Sequence, residues 1–318
     1  MKKVGIIILI VILIILIMSL CKVLIFSINN NNWNWFMSFG DLSDLRKEEY
    51  IQKEQKIAIT DIKKINLEFK SSDLNVFFTE DDEIRVVQYS YKELEENQLF
   101  QVNLSNSSVT INENKKPRFH LFYIGFMERT VYDVYIPKAY KENLEIRAVS
   151  GDVKVNESLK FEYLTISSTS GDIKMGDISA KDIRIESISG DIKLQHLTND
   201  NLKLKSISGD IRVESAEGKI EAKTTSGNIE IKEINGNVEL TSVSGDIKSD
   251  DFIVTGDSKV KTTSGNVRMY LNQNSNCEIQ TKSVSGNVTL PNRRNVMGVE
   301  PYVELNIDTV SGNIRLEK

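Results

Sequence analysis

Two cysteines, Cys21 and Cys277, stand 256 residues apart in a chain of 318, so no disulfide framework is available. Stability must come from packing and hydrogen bonds. Histidine is equally scarce: His120 and His196 are the whole supply, and no Ser/His/Asp, Cys/His or metal-ligand spacing can be built from them. There are only four prolines. A large excess of one charge is also missing. The net charge of −5 gives no reason to expect a nucleic-acid partner. The carboxylates recur at regular intervals and do not form one distinct pair with opposed environments. These absences argue against an enzyme, and we expect no catalytic residue, cofactor or bound metal. A carbohydrate-active β-solenoid enzyme stays as an alternative, because fold does not fix function.

What is present begins with one apolar block. Residues 4–26 read VGIIILIVILIILIMSLCKVLIF, interrupted only by Ser19 and Lys22. That length spans a hydrocarbon core of about 30 Å at about 1.5 Å per residue. A cleaved signal peptide would have a shorter apolar stretch and a small-residue site. A lipid anchor at Cys21 would need a small residue where Leu20 stands. Residues 4–28 are therefore expected to be an uncleaved transmembrane signal anchor, with Lys22 snorkelling to the far interface. Lys2 and Lys3 keep the stub of residues 1–3 in the cytoplasm, which places the C-terminal domain outside the cell. Residues 29–56 read as a juxtamembrane linker. Its Trp33, Trp35, Phe36 and Phe39 suit either a headgroup layer or an aromatic linker, and Ser43 to Gln55 has the composition of a short capped helix.

The dominant pattern is internal repetition. Ser-Gly followed by Asp or Asn recurs with its glycine at Gly151, Gly171, Gly190, Gly209, Gly227, Gly245, Gly265, Gly286 and Gly312. The intervals are 20, 19, 19, 18, 18, 20, 21 and 26 residues, a solenoid period. Within a unit such as LKLKSISGDIRV, beginning at Leu202, apolar residues alternate with Lys203, Lys205 and Arg212. Period-two alternation means strands with one buried face. Glycine followed by Asx predicts a tight corner with positive φ. The chain is thus expected to be all-β, a parallel β-solenoid preceded by one N-terminal transmembrane helix. Its coils should stack about 4.8 Å apart. Residues 148–318 hold the clear repeats. Residues 57–147 read as degenerate first coils, since INLEFKSSDLNV from Ile65 overlays the unit with Ser72 in place of glycine. VNLSNSSVTI from Val102 is a weaker echo. An aromatic insertion around residues 115–132 (Phe119, Phe122, Tyr123, Phe126) would cap the core or form a ligand groove.

These repeated S-[IVT]-S-G-[DN]-[IV]-[KR] units resemble a bacterial family of unknown function whose members carry the label "putative adhesin", LiaG-like cell-envelope proteins among them. The resemblance covers nearly all of the chain after residue 57. It implies a membrane-anchored envelope protein concerned with surface attachment or envelope stress, and it supplies no catalytic residue.

Stacking turns each repeated position into a row. The residues after the glycines, from Asp152 to Asn313, suit turn chemistry or a cation rail, although the Gly-rich nonapeptide of calcium-binding β-rolls is absent. Two residues further on stand Lys154, Lys174, Lys193, Arg212, Glu230, Lys248, Arg268, Thr289 and Arg315, of which seven are basic. This row is the candidate site for an anionic cell-wall polymer, unless the neighbouring Asp row offsets it. A third row of Ala148, Ser168, Ser187, Ser206, Thr224, Ser242, Thr262, Ser283 and Thr309 should point inward with its hydroxyls bonded in the core. Next to it, Val149, Thr169, Ile188, Ile207, Thr225, Val243, Thr263, Val284 and Val310 all branch at Cβ. Parity turns them outward, whereas a bulge at the corner would turn them in. The expected function is a non-catalytic binding or scaffolding module of the cell membrane. The alternative is a regulatory accessory protein that acts through another membrane protein, because three cytoplasmic residues cannot signal alone. At the C-terminal end, the strand Ile314-Arg315-Leu316 is expected to be the open end of the core, covered by the loop that starts at Asn292.

Overall fold

Leu202, Leu204 and Ser206 are buried while Lys203 and Lys205 are exposed, and Ile211 and Val213 are buried on either side of exposed Arg212. The computed structural model that shows this describes residues 51–90, 93–114, 130–156, 159–291 and 303–318. The predicted anchor, most of the juxtamembrane stretch, His120 with the aromatic insertion, and the loop from Asn292 lie outside the described residues. Among the described residues no helix is long and apolar enough to cross a membrane.

The domain is all-β and solenoid-like, and its strands are mostly parallel. Ile192–Ser206 pairs in parallel with Ile211–Thr224, which pairs in parallel with Ile229–Ser242. Within each coil the in–out alternation slips by one residue, as between buried Val213 and buried Ala216, and there the chain turns. Equivalent side chains stack into columns. Val153, Ile173, Ile192, Ile211, Ile229, Ile247, Val267 and Ile314 form one column that is almost wholly removed from water. Each such side chain contributes about 1.5–3 kcal/mol by burial. β-Branched residues fit because the pleated wall holds them in their preferred rotamers.

Both ends depart from the expected succession of coils. The unit Lys64–Phe69 and Asp73–Thr79 is a true coil and stacks on Asn143–Ala148 and Val153–Val155. The echo at Val102 is not a coil. Gln101–Ser105 and Ser108–Asn112 form an antiparallel hairpin, with Asn106 at the turn in the left-handed region at φ 44°. An Asn-Ser pair turns the chain back on itself where Ser-Gly-Asp would carry it forward. Ser108–Asn112 then joins the outer edge of Lys64–Phe69, and Thr130–Pro137 joins Asp73–Thr79. The second coil in the chain therefore lies outside the first. An antiparallel ribbon completes this end: Glu83–Ser90 pairs with Thr130–Pro137 on one side and with Ile51–Ala58 on the other. Residues 51–55 are thus strand, not the helix that their charge pattern predicts, because pairing with Glu83–Ser90 outweighs local propensity.

The C-terminal end repeats the inversion. Val303–Ser311 lies between Ser258–Ser264 and Cys277–Ser285, and Ile314–Glu317 lies between Val267–Leu271 and Val288–Thr289. The last coil in the chain is inserted beneath the one before it. Contrary to the sequence-based expectation, the outermost strand at this end among the described residues is Cys277–Ser285, not Ile314–Glu317. In the inserted coil Leu305, Ile307, Ile314 and Leu316 are all but fully buried, while the Gly286 coil places Ile279, Thr281 and Val288 opposite the first three. The exchange thus puts a polar Thr281 in the outer coil and not between two others.

Candidate interaction surfaces

Every surface row is set by the corner, so the corner comes first. An added Cβ on any of the nine corner glycines would lie 1.8–2.2 Å from a backbone carbonyl oxygen of the coil beneath, far inside contact distance. Of these nine, only Gly286 and Gly312 have positive φ, at 152° and 157°. The expected left-handed corner is therefore corrected for the other seven: glycine is required there because two backbones touch, while at Gly286 and Gly312 the positive φ adds to the same close approach.

Hydroxyls and Asx side chains hold this close stack. Ser187 and Ser206 Oγ accept from the N–H of Gly190 and Gly209 at 2.9 Å. Ser242 Oγ and Thr262 Oγ1 donate to the Gly227 and Gly245 carbonyls at 3.1 and 3.0 Å. The inward row thus bonds to the corner backbone. The Asx row makes a continuous ladder, in which Oδ1 of Asp172 accepts from Asp191 N–H and Oδ1 of Asp191 from Asp210 N–H, each at 3.0 Å. It begins at Asp73 and ends with Asn266, Asn313 and Asn287 in that spatial order. One oxygen of each Asx is therefore committed to the next coil, as turn chemistry demands. Among the described residues no group of three or more His, Cys, Asp or Glu is placed to hold a metal ion. His196 Nδ1 lies 2.6 Å from Asp177 Oδ1 on the exposed surface.

The basic row is laced with carboxylates. Lys193 contacts Asp191 at 3.0 Å and Asp172 at 3.4 Å, and hydrogen bonding to Asp191 lifts its ammonium above the ordinary lysine range. Lys174 lies 3.8 Å from Asp172, and Arg212 lies 3.1 Å from Asp191. Further along the row, carboxylates outside the Asx ladder also take part. Lys248 pairs with Asp250 at 3.0 Å and Glu230 at 3.1 Å, and Arg315 pairs with Glu317. Arg268 lies over the Tyr270 ring, 5.3 Å from its centroid. Each pair is exposed and individually weak.

The outward β-branched row is fully formed. Val149, Ile188, Ile207, Val243 and Val310 are 44–49 % exposed and Val284 is 70 % exposed. Thr169, Thr225 and Thr263 fill the intervening places, also exposed. No bulge rotates them inward, because the coil-to-coil bonding continues through the row: the N–H groups of Ile188, Ile207 and Val243 donate to the carbonyls of Ser168, Ser187 and Thr224. A shallow groove lined by Ser167, Thr169, Glu186, Ile188, Lys205 and Ile207 runs beside it.

Two features gave no signal in the sequence. Gly218 and Gly236 form a second glycine column, in which an added Cβ on either would lie 1.9 Å from a carbonyl oxygen below. Glu113 is a buried carboxylate at the first corner. Its Oε2 accepts from Lys70 and Ser71 N–H at 2.6 and 2.9 Å, and its Oε1 from Ser72 Oγ at 2.8 Å.

The family described as Toastrack DUF4097 matches residues 62–250 and, again, 223–317. The chain belongs to the Toastrack family. The two matched segments run through the degenerate first coil and every Ser-Gly-Asx corner of this chain. Toastrack membership agrees with the resemblance read from the repeats. Among solved structures, a "putative adhesin" from Parabacteroides merdae is 14 % identical over 84 % of this chain and 98 % of its own, with a TM-score of 0.46. A "putative adhesin" from Bacteroides fragilis is 12 % identical over 85 % and 98 %, with a TM-score of 0.43. A "putative cell adhesion protein" from Clostridium sporogenes is 14 % identical over 83 % and 98 %, with a TM-score of 0.28. No curated protein matches the sequence.

Proposed function

We propose that this Toastrack chain is a non-catalytic, membrane-anchored cell-envelope protein that holds its domain outside the cell as a binding or scaffolding surface, with the β-branched row as the contact face. The observation that carries this reading is the unbroken row of exposed Val, Ile and Thr side chains crossing the coils. Aligned apolar side chains at one fixed spacing mark an interaction surface. Their backbone is hydrogen-bonded from coil to coil and their χ1 angles are restricted by branching, so little freedom is lost on contact. A straight row of this kind suits an extended envelope component better than a small molecule. The basic row is the weaker candidate for an anionic wall polymer, because carboxylates already pair with five of its seven charges.

Two experiments test the proposal. Protease added to intact protoplasts should degrade everything after residues 4–28. A protected repeat domain would reverse the orientation. In the second, binding of the protein to isolated envelopes is measured by co-sedimentation. Replacing Ile188, Ile207 and Val243 together by Lys should lower retention by about ten-fold or more, the effect of losing central contact residues. Replacing Lys248, Arg268 and Arg315 by Gln should change it little. The opposite result, with retention lost in the Gln variant and falling as salt rises, would transfer binding to the basic row.

A further inference from the structure

The two ends of the solenoid are finished differently. The antiparallel ribbon closes the N-terminal end. At the other end Cys277–Ser285 pairs only with Val303–Ser311, and no strand among the described residues lies along its second edge. Val284, Val288 and Leu290 are exposed there. The register skips Val284 and Val310, and at the equivalent corners two consecutive N–H groups, such as those of Ile207 and Ser208, donate to the same neighbouring coil. The alternation is therefore offset there, and the backbone groups of Cys277, Ile279 and Thr281 face away from the neighbouring strand.

We infer that this edge pairs with the same edge of a second copy, antiparallel about a two-fold axis through Gln280. In that register Glu278 of each copy lies opposite Lys282 of the other, on the outward face where both are exposed. The edge is thus complementary to itself, as an isologous interface must be. Within one chain Glu278 is opposite Glu304, a like-charge pair that costs stability, and the Lys282 ammonium of the second copy offsets it. Pairing also satisfies the outward N–H and C=O groups, which are otherwise a template for uncontrolled association. This inference stands apart from the proposed binding role of the β-branched row.

The test uses the full chain in membranes, with Cys21 and Cys277 replaced by Ser and with Gln280→Cys as the single thiol. Gln280 opposite Gln280 is a non-hydrogen-bonded pair, about 4.5 Å apart between Cα atoms, so a short bis-maleimide should link two copies into a dimer on a denaturing gel. A thiol at Lys203, on the flank of the solenoid, should give none. Adding Glu278→Lys or Lys282→Glu places like charges opposite each other at two points and should lower the yield about five-fold or more. Combining both changes should restore it. Absence of the dimer, equal linking through Lys203→Cys, or failure of the double exchange to recover the yield would each overturn the inference.

Discussion

Gly209→Val is expected to remove most of the stability of the Tyr50–Lys318 unit, whereas Lys203→Ala leaves its denaturant midpoint almost unchanged. The β-carbon of the Val side chain would lie 2.1 Å from the Gly190 carbonyl oxygen, which is backbone fixed by the stack and unable to move aside. Separating the coils there breaks the Asp191-to-Asp210 rung. The expected loss is about 4 kcal/mol or more, in the range where single substitutions become exceptional. Gly209→Ala should lose nearly as much, since the clash begins at Cβ, and this separates close approach from side-chain bulk. Lys203 has an exposed side chain and one ion pair, to Glu221 at 3.3 Å, so its removal should cost about 0.5 kcal/mol or less. Equal midpoints for Gly209→Ala and Lys203→Ala would refute the touching-backbone account of the corners.

The second large effect is expected at Glu113. Its carboxylate stands where the next Ser-Gly-Asx corner would stand if the outermost N-terminal coil had one, and it accepts the backbone N–H groups that such a corner would otherwise meet. Glu113→Ala leaves the N–H groups of Lys70 and Ser71 and the hydroxyl of Ser72 without this acceptor, at a cost of about 2–5 kcal/mol. Glu113→Gln should fall between, because its amide nitrogen would turn a donor toward donors. Chemical denaturation of the three proteins measures the series. Wild-type stability in Glu113→Ala would mean that water or neighbouring groups replace the carboxylate without cost.

The central coils were legible because their information is local and repeated. Alternation around Leu202 and Leu204, the Asx row and the hydroxyl row each appear nine times or nearly so, and stacking converts each into a column. The degenerate coil at Ile65 was legible for the same reason, even with Ser72 at its corner. What was not legible depends on partners distant in the chain. Glu113 lies among polar residues and reads as a loop, yet it serves a corner 43 residues earlier. The reason for glycine was misread because φ is a local property, whereas the contact that excludes a Cβ comes from the previous turn of the stack. The fate of Val149 and Ile188 depended on whether the ladder continues into the corner, which alternation alone leaves open. Nothing in the repeat spacing revealed the inverted order of the last two coils, apart from the longer interval between Gly286 and Gly312.

That inversion restricts how such a protein can change over evolutionary time. Between the coils at Gly151 and Gly265 each turn rests on its chain predecessor, as the rungs joining Gly171, Gly190 and Gly209 show. Duplicating or deleting a unit there only alters length, and both neighbours still find matching columns. At the ends a coil is held by partners that are not consecutive in the chain: Gly312 rests on Gly265 and itself supports Gly286. A unit gained or lost across that point would bring together surfaces that were never selected to meet. Gene-level growth is therefore expected to be confined to the middle of the array, with the two termini inherited as fixed blocks.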